Sequence, residues 1–113
     1  MRSSSPRAAK SAGSAALFAA LGDKTRLRLV SRLCENGPAS IVNLTRGTAL
    51  TRQAITKHLH VMQHAGLVRS TRQGRESCWE LDRRRLEEAR RNLALIAEQW
   101  DAALGRLRRF VEG

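Results

Sequence analysis

LTRQAITKHLHVMQHAGLVRSTRQGRESCWELD, residues 50–82, reads as a helix, a stop and a hairpin in direct succession. Thr51 is placed to cap a helix over Arg52–His64, because its hydroxyl can take up a free amide of the first turn. Ile55, Leu59, Met62 and then Ala65 recur at three- and four-residue steps and predict a buried side. Arg52, Gln53, Thr56, Lys57, His60, Gln63 and His64 fall on the other side. Ala65-Gly66-Leu67 ends the helix, with Gly66 free to adopt the left-handed cap conformation. Beyond it, Arg72-Gln73-Gly74-Arg75 reads as the tip of a hairpin. Trp79 and Leu81 alternate with Cys78 and Glu80, which turns the tryptophan and the leucine inward.

Working upstream, Ser40 can cap a short helix from Ile41 to about Arg46, and Gly47-Thr48 is a turn. Two helices on a tight turn followed by a hairpin predict a winged helix-turn-helix. Before them, Asp23 can cap a helix over Lys24–Glu35, with Leu27, Val30, Leu33 and Cys34 expected on its buried stripe. Asn36-Gly37-Pro38 is the stop. A first helix is expected over Ser14–Leu21, and residues 1–13, rich in Ser, Ala and basic residues, are expected as a disordered basic arm. The expected fold is mainly α (α+β), a winged helix-turn-helix in the order α-α-α-α-β-β-α, with one domain over residues 14–113.

Downstream, Arg83 to about Val111 reads as one long helix. Leu86, Leu93, Trp100 and Leu107 recur every seven residues, with Ala89, Ile96, Ala103 and Phe110 three after each and Leu104 beside them. Such a repeat favours helix–helix packing along the whole length. One small domain cannot cover so long a stripe, so a homodimer is expected. Its interface would hold Leu86, Ala89, Leu93, Ile96, Trp100, Leu104 and Leu107, joined by Leu17, Phe18 and Leu21 of the first helix.

Charge is segregated along the chain. Of 113 residues, 21 are Lys or Arg and 10 are Asp or Glu, a net charge of +11. A protein that basic usually meets a polyanion. No Asp or Glu occurs between Glu35 and Glu76, whereas Arg46, Arg52, Lys57, Arg69, Arg72 and Arg75 do. Cationic side chains on phosphates release condensed counterions, so this interval is expected to bind double-stranded DNA. Arg52, Gln53, Thr56 and Lys57 are the base-reading candidates, since these side chains suit base edges in the major groove. Thr51 and the adjoining amides suit a phosphate. His60 is expected to be polar or phosphate-facing. Arg69, Arg72 and Arg75 on the hairpin suit a narrow minor groove or the backbone.

The run GDKTRLRLVSRL (residues 22–33), followed by residues 50–82, resembles the ArsR family of bacterial winged-helix repressors. The shared pieces are a D-x-T-R helix start, a recognition helix ending [ST]-[RK]-H-L, an A-G-L-V link and an R-x-G-R wing, together covering about Ala16 to Asp82. The resemblance implies a homodimer, repression by operator occlusion and a small-molecule effector that weakens binding; a two-fold dimer, with recognition helices about 34 Å apart, predicts an inverted-repeat operator. The resemblance also carries DNA contact over to Thr51, Arg52, Gln53, Thr56, Lys57, His58 and the wing arginines. W-D-x-x-L-x-R-L-x-x-F-V over residues 100–111 is similar to the non-metal branch containing SdpR-type autorepressors.

The departures bear on metals. Where the metal-sensing branch carries C-V-C, this chain has Ser40-Ile41-Val42, and no His follows His64. Zinc or arsenic sensing at those sites is not expected, because soft metals need thiolate or imidazole donors. His60 and His64 stand four residues apart but lack a third ligand nearby. No cofactor is expected. Cys34 and Cys78 are too few for a disulfide framework and are expected as buried thiols in a cytoplasmic protein. No run approaches a membrane span. No phosphate loop, nucleophile elbow or carboxylate pair points to an enzyme. Two other binding modes compete: a winged helix whose basic face docks an acidic protein, and RNA binding. RNA modules usually stack bases on exposed aromatics, whereas the aromatics here, Phe18, Trp79, Trp100 and Phe110, all fall on apolar faces.

Overall fold

The computed structural model describes residues 6–113, and of residues 6–12 the backbone alone. The elements are α1 (Pro6–Leu21), α2 (Lys24–Asn36), β1 (Ala39–Ser40), α3 (Ile41–Thr45), α4 (Arg52–His64), β2 (Val68–Gln73), β3 (Glu76–Leu81) and α5 (Arg83–Glu112). Helix α1 starts at Pro6, earlier than the expected Ser14. Proline suits a first helical position and the alanines that follow favour helix. Of the arm expected over residues 1–13, residues 1–5 lie outside the described residues.

The expected caps are in place. Asp23 accepts from the amide of Arg26 at 3.0 Å, Ser40 from Asn43 at 3.2 Å and Thr51 from Ala54 at 3.1 Å. Gly66 closes α4 with φ +79°. The hairpin pairs Val68 with Leu81 and Gln73 with Glu76, and turns at Gly74 with φ +65°. Strand β1 is an addition to the expected order. Ala39 pairs with Trp79 and Ser40 with Cys78, giving an antiparallel sheet ordered β1-β3-β2. Two residues show no alternation, and Ser40 serves both as strand and as helix cap, so the sequence carries no separate strand signal.

Leu17, Leu29, Leu44, Ile55, Leu59, Met62 and Leu67 are fully buried, and Trp79 closes the core from the sheet side. Two expectations about α2 are corrected. Its buried residues are Leu29, Val30 and Leu33, whereas Leu27 is 51% exposed and Cys34 is exposed. The stripe is rotated about the helix axis from the expected one: Leu29 and Leu33, four residues apart, define the inner side. Cys78 is half-buried rather than buried.

Three arginines close helix ends with guanidinium-to-carbonyl bonds. Arg26 Nε donates to Ala20 O of α1 at 2.6 Å. Arg32 of α2 donates to Asn43, Leu44 and Arg46 carbonyls at 3.1, 2.8 and 2.9 Å. Arg85 of α5 donates to Ala65 O at the end of α4, at 3.1 and 2.9 Å, and reaches Gly13 O of α1 at 2.8 Å. Cations at helix C-termini also oppose the helix dipole. These three charges therefore hold the fold.

Helix α5 has 30 residues, a length of about 45 Å at the usual rise. The radius of gyration is 18.4 Å, against roughly 13 Å for a compact chain of this size. The excess follows from the outer turns of α5, which project beyond the core.

Candidate nucleic-acid interface

Helix α4 presents two chemically distinct sides. Ile55, Leu59 and Met62 are sealed in the core, while Arg52, Gln53, Lys57, His60, Gln63 and His64 are exposed. The buried side fixes the helix against the body, and this directs the polar side outward. Thr51 is exposed and its hydroxyl holds the first turn through Ala54 N. Thr56 is half-buried and its hydroxyl donates to Arg52 O at 2.7 Å.

Helix and hairpin are coupled. Ala65-Gly66-Leu67 leads straight from α4 into β2, and the Leu67 amide donates back to Met62 O at 2.9 Å. The His60 ring lies 6.0 Å from that of Trp79, tilted by 54°. His60 therefore leans on the base of the wing. Trp79 Nε1 is buried without a hydrogen-bond partner, so apolar packing holds the indole.

The wing arginines differ from one another. Arg69 Nε pairs with Glu80 across the hairpin at 3.0 Å. Register brings these two residues opposite each other, so the acid-free interval of sequence is not acid-free in space. Arg72 and Arg75 are exposed near the tip, and only a long 3.4 Å contact to Gly74 O occupies Arg72.

His58 is half-buried and faces the start of α2. Its Nδ1 lies 3.3 Å from Arg26 Nη1 and 3.9 Å from Asp23 Oδ2. The Arg26 amide donates to the Asp23 carboxylate and keeps that carboxyl below the usual range, with the Arg26 guanidinium charge adding to the effect. His58 thus ties α4 to α2 and, through Arg26, to the end of α1. The D-x-T-R start and the histidine are visible in the sequence, but nothing in their spacing reveals that they meet.

The apolar stripe of α5 divides into two parts. Leu86 packs against the core and Ala89 is buried in it, as is Leu17 of α1; Phe18 and Leu21 are half-buried there. Further along, Leu93, Ile96, Trp100, Leu104 and Leu107 are exposed, with Trp100 at 65%. Leu95, Phe110 and Val111 are exposed as well. The same helical row therefore seals the core at one end and leaves its large apolar side chains exposed at the other.

Among the described residues, no three His, Cys, Asp or Glu side chains come together as a metal site, and no helix is long and apolar enough to cross a membrane.

A family model described as a helix-turn-helix domain matches residues 21–71. The chain is 42% identical over 66 residues to YuzN of Bacillus subtilis, an uncharacterised helix-turn-helix transcriptional regulator; the match takes in 53% of this chain and 72% of that one. It is 29% identical over 65 residues to the arsenical resistance operon repressor of the same organism, 58% of this chain and 62% of that one. Among solved structures, an ArsR-like transcriptional regulator from Rhodococcus sp. RHA1 superposes with a TM-score of 0.76 at 33% identity, covering 90% of this chain and 95% of the other.

Proposed function

Because the chain belongs to the ArsR family of winged helix-turn-helix transcriptional regulators, we propose that it is a homodimeric repressor that binds double-stranded DNA at an inverted repeat. The observation that carries this reading is the division of α4. Its apolar side is locked into the core, and Arg52, Gln53 and Lys57 stand exposed on its first two turns. Such side chains reach guanine and adenine edges in the major groove. Thr51 and the α4 N-terminus serve a phosphate, and Thr56 supports them from the flank of the helix. Arg72 and Arg75 serve the adjoining groove or backbone. Arg69, shared with Glu80, contributes less. His60 and His58 act mainly by holding α4 to the wing and to α2.

The exposed half of the α5 stripe supports the dimer. In that assembly two copies of α4 would enter successive major grooves about 34 Å apart. A DNA ligand supports a cytoplasmic location.

The test is duplex binding across a salt series, with wild type and an Arg52→Ala/Lys57→Ala double variant. The expected result is preference for one inverted repeat, lost in the variant. Equal affinity for every duplex removes the sequence-reading role. Unchanged binding by the variant moves the interface off α4.

A further inference from the structure

Helix α3 has only five residues, Ile41–Thr45, too few to persist without outside support. It nevertheless sets where α4 begins. The carbonyls of α3 and of its C-cap are satisfied in two ways. Thr45 Oγ1 donates to Ile41 O at 2.6 Å, and Thr48 donates to Thr45 O through its amide at 3.1 Å and its hydroxyl at 2.7 Å. The carbonyls of Asn43, Leu44 and Arg46 are taken by Arg32.

Arg32 comes from α2, across a gap. An open groove of about 720 Å³ separates Thr25, Arg28 and Ser31 of α2 from Arg46–Leu50 of the turn. Core residues Leu29 and Ile55 also line that groove, and the Arg32 guanidinium spans from α2 to the turn as a strut. Both terminal nitrogens are engaged, Nη1 with Leu44 and Arg46 and Nη2 with Asn43. The planar fork suits divergent carbonyls in a way an ammonium does not.

We infer that Arg32 is a specificity-determining positioning residue: it fixes the α3–α4 turn, and through it the angle at which Arg52, Gln53 and Lys57 meet base edges. The inference rests on the DNA-binding reading above. Its charge is directed at backbone carbonyls, so it adds no phosphate contact. Loosening the turn lowers the fraction of molecules in the competent geometry, and specific affinity falls by that fraction. Non-specific binding depends on charge alone and is left nearly as it was.

The experiment uses the full chain, a duplex selected from a random pool by the wild type, and a scrambled duplex of equal length. Arg32→Lys keeps the charge and loses the fork. Thr48→Val removes the second support of the same turn at an exposed position. For both, specific affinity should fall roughly tenfold, as it would if one molecule in ten kept the turn. Affinity for the scrambled duplex and the slope of log K against log salt should match wild type. A third variant, Arg32→Gln, removes the charge: a slope reduced by about 0.9 on the scrambled duplex identifies a phosphate contact and overturns the inference. So does an unchanged ratio between the two duplexes in both Arg32→Lys and Thr48→Val. A wild type that does not discriminate between duplexes at all refutes the DNA-reading role itself, and is distinguished by appearing before any variant is made.

Discussion

Replacing Trp100 by alanine tests the paired assembly at its largest exposed apolar side chain. Trp100 is 65% exposed in the single subunit. An indole side chain offers up to about 250 Å², so roughly 160 Å² remains to be covered. If a partner covers half of it, at about 25 cal/mol per Å², the gain is about 2 kcal/mol per subunit. Two copies change per dimer, so Trp100→Ala should weaken association by about 4 kcal/mol, a dissociation constant raised roughly a thousandfold. The single-chain core should be untouched, since Trp100 lies outside it. Sedimentation equilibrium over a dilution series reads the constant, and duplex binding should fall in parallel at concentrations where the variant is monomeric. A variant that associates within threefold of wild type refutes the assignment of this stripe to subunit pairing.

Gly66→Ala should destabilise the fold by about 1–2 kcal/mol in chemical denaturation, because φ is +79° there and an added Cβ would sit 3.0 Å from Arg85 Nε. Asp23, whose carboxyl is held low in the folded chain, contributes stability that is present above the unfolded-state carboxylate pKa and lost as pH falls through the lower folded value. Melting followed between neutral pH and about pH 3 should therefore show a shallower acid-side loss in Asp23→Asn, which keeps a capping side chain; parallel curves would count against this. Cys34, being exposed, should react with iodoacetamide in the native protein before half-buried Cys78, as intact-mass spectrometry would reveal, and the reverse order would contradict the burial pattern.

Much of this architecture is legible in the residues because its signals are local. Thr51, Ser40 and Asp23 stop or start helices through their own side chains, and Gly66 and Gly74 supply turns few other residues allow. The hairpin register follows from alternation around Trp79. What escapes the sequence depends on distant partners. Strand β1 exists only because Trp79 and Cys78 offer it an edge. The rotation of α2 that buries Leu29 and exposes Leu27 and Cys34 is set by its neighbours, not by its own period. The polar flank of α4 is readable from spacing alone, but the pairing of Arg69 with Glu80, the lean of His60 on Trp79 and the contact of His58 with Arg26 require the fold. Counting arginines likewise overstates the free positive surface, since Arg26, Arg32 and Arg85 close helix ends.

The outer turns of α5 connect this architecture to abundance. Leu93 to Val111 form a helical tail whose large apolar side chains are exposed, and a helix in water owes most of its stability to packing of its apolar face. At low copy number the tail of a lone molecule would fray and offer its backbone to proteases. Clearance would then fall first on molecules without a mate. The population of competent regulators would rise more steeply than synthesis, giving the gene a threshold that no property of the operator supplies.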